Sequence, residues 1–305
     1  MKEFIASIVM TALLLFLVAC TAPYRNNHDV PNLPSDTETI SDTGSYPIIE
    51  PPTENFFTEL LLIDNPECSV SVTNIDPEGR FGYTLKVHLE NKSIENIYTF
   101  SLESLFVNDV KCSAIFSHEV APGQSASETI TFAEKDLKKH NITEYTDLEL
   151  TFKIFDDTDV TVGTVAKETV HVYPQGEENA TKFIREPQST DRVLFDNEYV
   201  TAIVIGYEVQ LYRGYTANLF LVNKTNADVM FTADNASVNG VSLDPFYACK
   251  IPAGKSAFSD MSWLISTLED NNIYDITEVK FNFRAYEEDD YFGTNLAVAE
   301  ISLNP

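Results

Sequence analysis

Three cysteines in the body of the chain, Cys68, Cys112 and Cys249, are the side chains best suited to act as nucleophile, metal ligand or cross-link. A zinc set drawn from Cys68, Cys112, His88 and His118 would have irregular spacing and no Cys-x-x-Cys pair, unlike the short ligand spacings of structural zinc sites. The five histidines, His28, His88, His118, His140 and His171, include no His-x-His and no His-Glu-x-x-His pair. Two acidic runs are the next candidates: Asp156, Asp157 and Asp159, and the unbroken Glu287, Glu288, Asp289 and Asp290. Carboxylate-rich turns can hold Ca²⁺, which takes six to eight oxygens. Neither run has the EF-hand spacing, so both read as solvated turns that discourage edge-to-edge association. There is no Gly-x-Ser-x-Gly elbow and no phosphate-binding glycine loop, and glycine is scarce at 11 residues. Acids are too widespread for any pair to stand out as glycosidase carboxylates. The reading is a chain without catalytic residues, metal or cofactor.

The elements that would position any such residues are bounded by composition. Of 305 residues, 44% are hydrophobic, enough for packed cores. A net charge of −27 argues against nucleic acid, whose phosphates need clustered Lys and Arg, and against electrostatic attachment to anionic lipid. Four cysteines are too few for a disulfide-dense scaffold.

The N-terminus carries the most specific motif. Lys2 precedes an almost wholly apolar run over 4–18, broken by Ser7 and Thr11. That is short for a membrane span, which needs about 20 residues, and right for a signal-peptide core. Leu17, Val18 and Ala19 then lead to Cys20. This resembles the lipobox of bacterial lipoproteins. The resemblance implies that 1–19 is removed as a signal peptide and that Cys20 receives diacylglycerol through its sulfur. Two or more acyl chains anchor a protein stably. Residues 20–55 follow as a tether. Positions 21–55 hold six prolines, eight Ser or Thr and six acids against the single base Arg25. Such a segment cannot bury enough surface to order itself and would reach on the order of 30–40 Å as a coil.

An internal repeat organises the rest. Leu62, Asp64 and Asn65 recur as Leu194, Asp196 and Asn197; Gly82, Tyr83 and Thr84 as Gly214, Tyr215 and Thr216; Leu89, Asn91 and Lys92 as Leu221, Asn223 and Lys224. From Val107 and Asn108, which recur as Val238 and Asn239, the offset falls from 132 to 131. About a quarter of aligned positions are identical, against roughly one in sixteen by chance. The period is too long for a solenoid and marks a duplicated domain. The expected boundaries are 56–174 and 191–305, joined by a polar linker at 175–190.

Each copy reads as β. Phe81, Tyr83, Leu85, Val87 and Leu89 alternate with polar positions, the period of a half-buried strand. In copy two the same strand, 215–222, is a more apolar version, with Phe220 and Val222 among the alternate positions beside Thr216 and Asn218. Asn239 with Gly240, and Asn108 with Asp109, signal hairpins. One short helix is expected per copy, at 133–141 and 264–272. Some seven short strands with frequent turns predict an all-β fold of two tandem immunoglobulin-like antiparallel sandwiches. Together with the lipobox, this is similar to the immunoglobulin-like repeats in ectodomains of uncharacterised Gram-positive lipoproteins. Cys68 and Cys112 align with Val200 and Leu243, so buried thiols are expected, with a Cys68–Cys112 disulfide as the alternative in an oxidising exterior. Trp263 aligns with Phe132 and reads as core, whereas Tyr286, Tyr291 and Phe292 beside the second acidic run have a weaker claim to a binding surface.

The functional expectation is a non-enzymatic lipoprotein on the extracytoplasmic face of the membrane. Acylated Cys20 would hold it to lipid, while its two domains engage an envelope ligand or protein. An accessory subunit docked on a membrane complex and a hydrolase with an unrecognised site are the alternatives. Cys20→Ala is expected to accumulate as uncleaved precursor or to leave the membrane fraction, as read by fractionation and intact mass. A variant still processed and membrane-bound would contradict the lipobox reading.

Overall fold

The computed structural model describes residues 58–156, 163–210, 213–245, 247–290 and 293–304. Cys20, the signal and tether segments, His28, Asp157, Asp159, Tyr291 and Phe292 lie outside the described residues. In copy one, β1 (Leu60–Asp64), β2 (Cys68–Asp76) and β3 (Thr84–Asn91) run into β4 (Tyr98–Val107), β5 (Val110–Cys112), β6 (Ser117–Val120) and β7 (Ser125–Thr131). Helix α1 (Glu134–Lys139), β8 (Leu148–Asp156) and β9 (Thr164–Val172) complete it. Copy two repeats the order as β10 (Arg192–Asp196), β11 (Val200–Gln210), β12 (Gly214–Asn223), β13 (Val229–Val238), β14 (Val241–Ser242), β15 (Ala248–Ile251) and β16 (Ser256–Trp263). It closes with α2 (Ile265–Asp270), β17 (Val279–Glu287) and β18 (Ala297–Leu303).

In copy one, β1-β2-β3-β7 form one sheet and β4 with β5, β6, β8 and β9 the other. In copy two, β10-β11-β12-β16 face β13 with β14, β15, β17 and β18. This is the all-β sandwich expected. Alternation produces it: in β8, Leu148, Leu150, Phe152 and Ile154 are wholly buried while the residues between them are not. Two apolar residues of the expected strand, Phe81 and Tyr83, precede the ladder, and of these only Tyr83 is buried. Phe81 lies before β3 and is 78% exposed, because the chain turns at Gly79 and Gly82 before the ladder begins at Thr84.

The residues shared by the two copies turn out to be joints of the fold. Asn65 accepts the amides of Glu67 and Cys68, and Asn197 those of Tyr199 and Val200. Lys92 reaches Asp64 and the Asn65 carbonyl, as Lys224 reaches Asp196 and the Asn197 carbonyl. Asn91, wholly buried, donates to the carbonyls of Asn96 and Val120, and Asn223 to those of Ala227 and Ile251. The change of offset therefore falls between Asn91 and Asn96, in the β3–β4 loop. Asn108 accepts from Thr146 and Asp147, and Asn239 from Thr277 and Glu278. Gly214 recurs from Gly82 for a steric reason: at φ +78, a Cβ there would lie 2.2 Å from the Trp263 carbonyl oxygen.

The copies are not separate beads. A core running from Ile63 to Val172 and a second from Val200 to Leu303 sit within one compact unit, Asn55–Pro305. A nine-stranded sheet crosses between them, where β5 of copy one meets β16 of copy two in a single parallel bridge, Val110 to Ser256. Asn91→Ala and Asn223→Ala each strand buried carbonyls without donors, which costs about 2–3 kcal/mol. For a unit of this size the melting temperature is expected to fall by about 5–10 °C, while exposed Thr73→Ala leaves it in place. Calorimetry showing both asparagine variants within a degree of the parent would contradict this assignment.

Candidate functional site

The site begins at the hairpin between β4 and β5. Both of its turn residues need positive φ, and copy two supplies Asn239 and Gly240. Copy one instead holds Asn108 and Asp109, the latter at φ 68. A non-glycine residue there is strained, and its side chain is used. Lys255, just before β16, places its ammonium 2.6 Å from Asp109 and 2.6 Å from Glu149 of β8. Lys182 of the linker lies 2.7 Å from the other Asp109 oxygen, and His171 approaches Asp147 at 2.7 Å and Glu149 at 3.4 Å. Burial favours the neutral form of both Asp109 and Lys255, but the opposite charges outweigh it. Asp109 is held below the usual carboxylate range and Lys255 above the usual lysine value. The amide of Ser256 donates to the Asp109 carbonyl at 2.9 Å, completing a main-chain and side-chain brace.

An aromatic cluster extends the brace. The His140 ring, just after α1, lies flat on Phe258 of β16 with centroids 3.5 Å apart. Phe220 of β12 is 4.9 Å from Phe258, and Phe183 of the linker is 6.1 Å from it. Arg185 lies over Phe220 and makes a bidentate, largely buried pair with Asp191 at 2.6 and 2.7 Å. The linker is thus packed rather than loose. Burial first, then Lys139 and Arg185, lower the His140 pKa and keep the stacked ring neutral.

Beside this cluster, between α1 and the outer face of β11, β12 and β16, lies a cleft of about 900 Å³. Lys111, Lys135, Lys139 and Arg213 line it together with Asp136, Glu208 and Asp260. Two of these acids are already engaged. Asp260 accepts from Arg213 at 2.9 Å and Asn218 at 3.0 Å, and Glu208 from Asn218 and Gln210, each at 2.9 Å. Those amides, with Lys139, hold the Glu208 carboxyl below its ordinary range. Lys139 and Arg213 pair with Glu208 and Asp260, which leaves Lys111 and Lys135 as the cations of a concave site on a chain of net charge −27.

The residues singled out from sequence lie elsewhere or serve the core. Cys68, Cys112 and Cys249 are free, buried thiols. The alternative Cys68–Cys112 bridge is not formed, since Cys68 caps the Asn65 turn at 3.5 Å while Cys112 faces the Ser113 carbonyl from the opposite sheet. Burial pushes Cys112 up to about 12 and raises the other two, which leaves none as a thiolate. Among the described residues no group of three His, Cys, Asp or Glu side chains is arranged to hold a metal. His118 instead lies 3.2 Å from Glu128. Glu287, Glu288, Asp289 and Asp290 are exposed, with Lys250 3.1 Å from Glu288. Tyr286 is buried beneath Arg284 and offers no binding surface, and Trp263 is core, donating to the Leu243 carbonyl at 3.0 Å. The cleft was not anticipated. The signals of the brace beside it were Phe220 and Phe258, aromatics at outward positions where copy one has His88 and Ser127, and Lys255, where copy one has Gln124.

No protein-family model matches the chain, and no curated protein does. Among solved structures, a YadV chaperone is 14% identical, covering 72% of this chain and 92% of its own, at a TM-score of 0.21. A protein of unknown function from Porphyromonas gingivalis W83 is 10% identical, covering 79% of this chain and all of its own, at a TM-score of 0.22. Likenesses this low carry no argument about function.

Proposed function

We propose that this chain is a membrane-anchored, extracytoplasmic lipoprotein without catalytic activity, which holds an envelope ligand in the cleft between its two sandwiches. Anchoring rests on the resemblance of Leu17 to Cys20 to a lipobox, with 20–55 as the tether. Among the described residues no helix is long and apolar enough to cross a membrane.

The observation that carries the binding role is the cleft itself. Lys111 and Lys135 stand in a recess whose neighbouring Glu208 and Asp260 are already hydrogen-bonded within the protein. A concave site that gathers cations on an acidic surface favours a ligand with an anionic group, such as a phosphate or carboxylate of the envelope. Binding rather than turnover is favoured because the thiols in the cleft are held protonated by burial, and Glu208 and Asp260 are tied to amides and to Arg213.

The test is retention of a soluble form, starting at residue 21, on envelope fragments of the producing cell. Retention is expected to weaken as salt rises and to fall severalfold in Lys111→Glu/Lys135→Glu. Equal retention of parent and variant, or retention indifferent to salt, would contradict the reading.

A further inference from the structure

Because the two copies share one fold, a polar residue in one that faces an apolar counterpart in the other is not required by the fold. Copy one has such a set at the start of α1. Glu134 stands where copy two has Ile265, and Tyr145 where it has Ile276. In copy two Ile276 packs against the core and Tyr207 stacks beside Tyr215 with centroids 6.0 Å apart. In copy one the Glu134 carboxylate is only 9% exposed, yet it borders a cavity of about 740 Å³. It accepts from the Tyr145 hydroxyl at 3.1 Å and from Lys138 at 3.0 Å. Tyr83, 6% exposed, lies 4.8 Å from the Tyr145 ring, and its hydroxyl has no acceptor. The Tyr215 hydroxyl lacks one too, so the carboxylate and the cavity, rather than the tyrosine, set copy one apart. Asn74, Glu144 and Gln175 add polar groups to the same cavity.

The chemistry of these groups selects a ligand class. Burial, with Glu134 adding to it, pushes Tyr83 up to about 12, so its hydroxyl stays a donor in want of an acceptor. Glu134 can only accept. An ammonium group donates but cannot accept from Tyr83, and a carboxylate accepts but meets two acids, Glu134 and Glu144, against the single Lys138, which Glu134 already holds. An alcohol does both. We propose that this cavity of copy one binds a saccharide, with the Tyr83 hydroxyl donating to a ligand oxygen and Glu134 accepting from a ligand hydroxyl. The site is separate from the inter-repeat cleft and does not depend on the lipid anchor.

The experiment uses the full chain in a detergent without a sugar headgroup. Glucose, galactose, N-acetylglucosamine and short oligomers of each are the probes, with tetramethylammonium and acetate as controls. Binding is read by saturation-transfer NMR and by thermal shift. At least one saccharide is expected to bind. Tyr83→Phe, which removes only the unpaired hydroxyl, is expected to weaken it about tenfold while leaving the melting temperature unchanged or higher. Glu134→Gln, of equal size, is expected to weaken it comparably. The proposal is overturned if no saccharide of the set binds, if Tyr83→Phe binds as the parent does, or if a control ion occupies the site in place of the sugar.

Discussion

The carbonyl of Asp109 accepting the amide of Ser256, with Lys255 held between Asp109 and Glu149, is the contact on which the arrangement of the molecule rests. It joins a sheet of copy one to a sheet of copy two, and it seats Phe258 against His140, which fixes α1 as a wall of the cleft. A buried ion pair adds little net stability over an apolar contact of the same size, because desolvation offsets the attraction. Its effect here is on register. Removing either partner would leave a charge stranded in a half-dry site, so the copies meet in this alignment and not in a slipped one.

The joint does not repeat beyond the chain. For a second molecule to dock its copy two on the free β7 edge in the same way, Gly240 would have to do the work of Asp109, Lys280 that of Glu149 and Gln124 that of Lys255. None of the three charged partners is retained. Ser127 replaces Phe258 on that edge, so neither the ionic nor the aromatic half of the brace can form.

The alternation of apolar residues and the turn signals at Asn108 and Asn239 made the strands, hairpins and short helices readable, because period-two burial and positive φ leave direct marks on sequence. The identities between copies were equally visible, but their meaning was not. Asp64, Asn65, Asn91, Lys92 and Asn108 could have been a polar site, and only their hydrogen bonds show them to be loop clamps. The brace residues and Glu134 are instead ones that differ between copies. Lys255 against Gln124, Phe258 against Ser127 and Glu134 against Ile265 are single departures from a shared pattern, and which of them meet in space depends on pairings more than a hundred residues apart. The more apolar 215–222 strand did record the joint, since the outward Phe220 is 6% exposed. Alternation alone could not say what covers that outer face.

The claim that the two sandwiches form one body through this joint is tested most directly by amide hydrogen exchange at Ser256. Its N–H has a partner only in the other copy, the Asp109 carbonyl at 2.9 Å. If the brace persists in solution, that amide is expected to exchange as slowly as the interior amides of β12. Exchange at the rate of an exposed loop, with β12 still protected, would show that the copies move independently and would contradict the account.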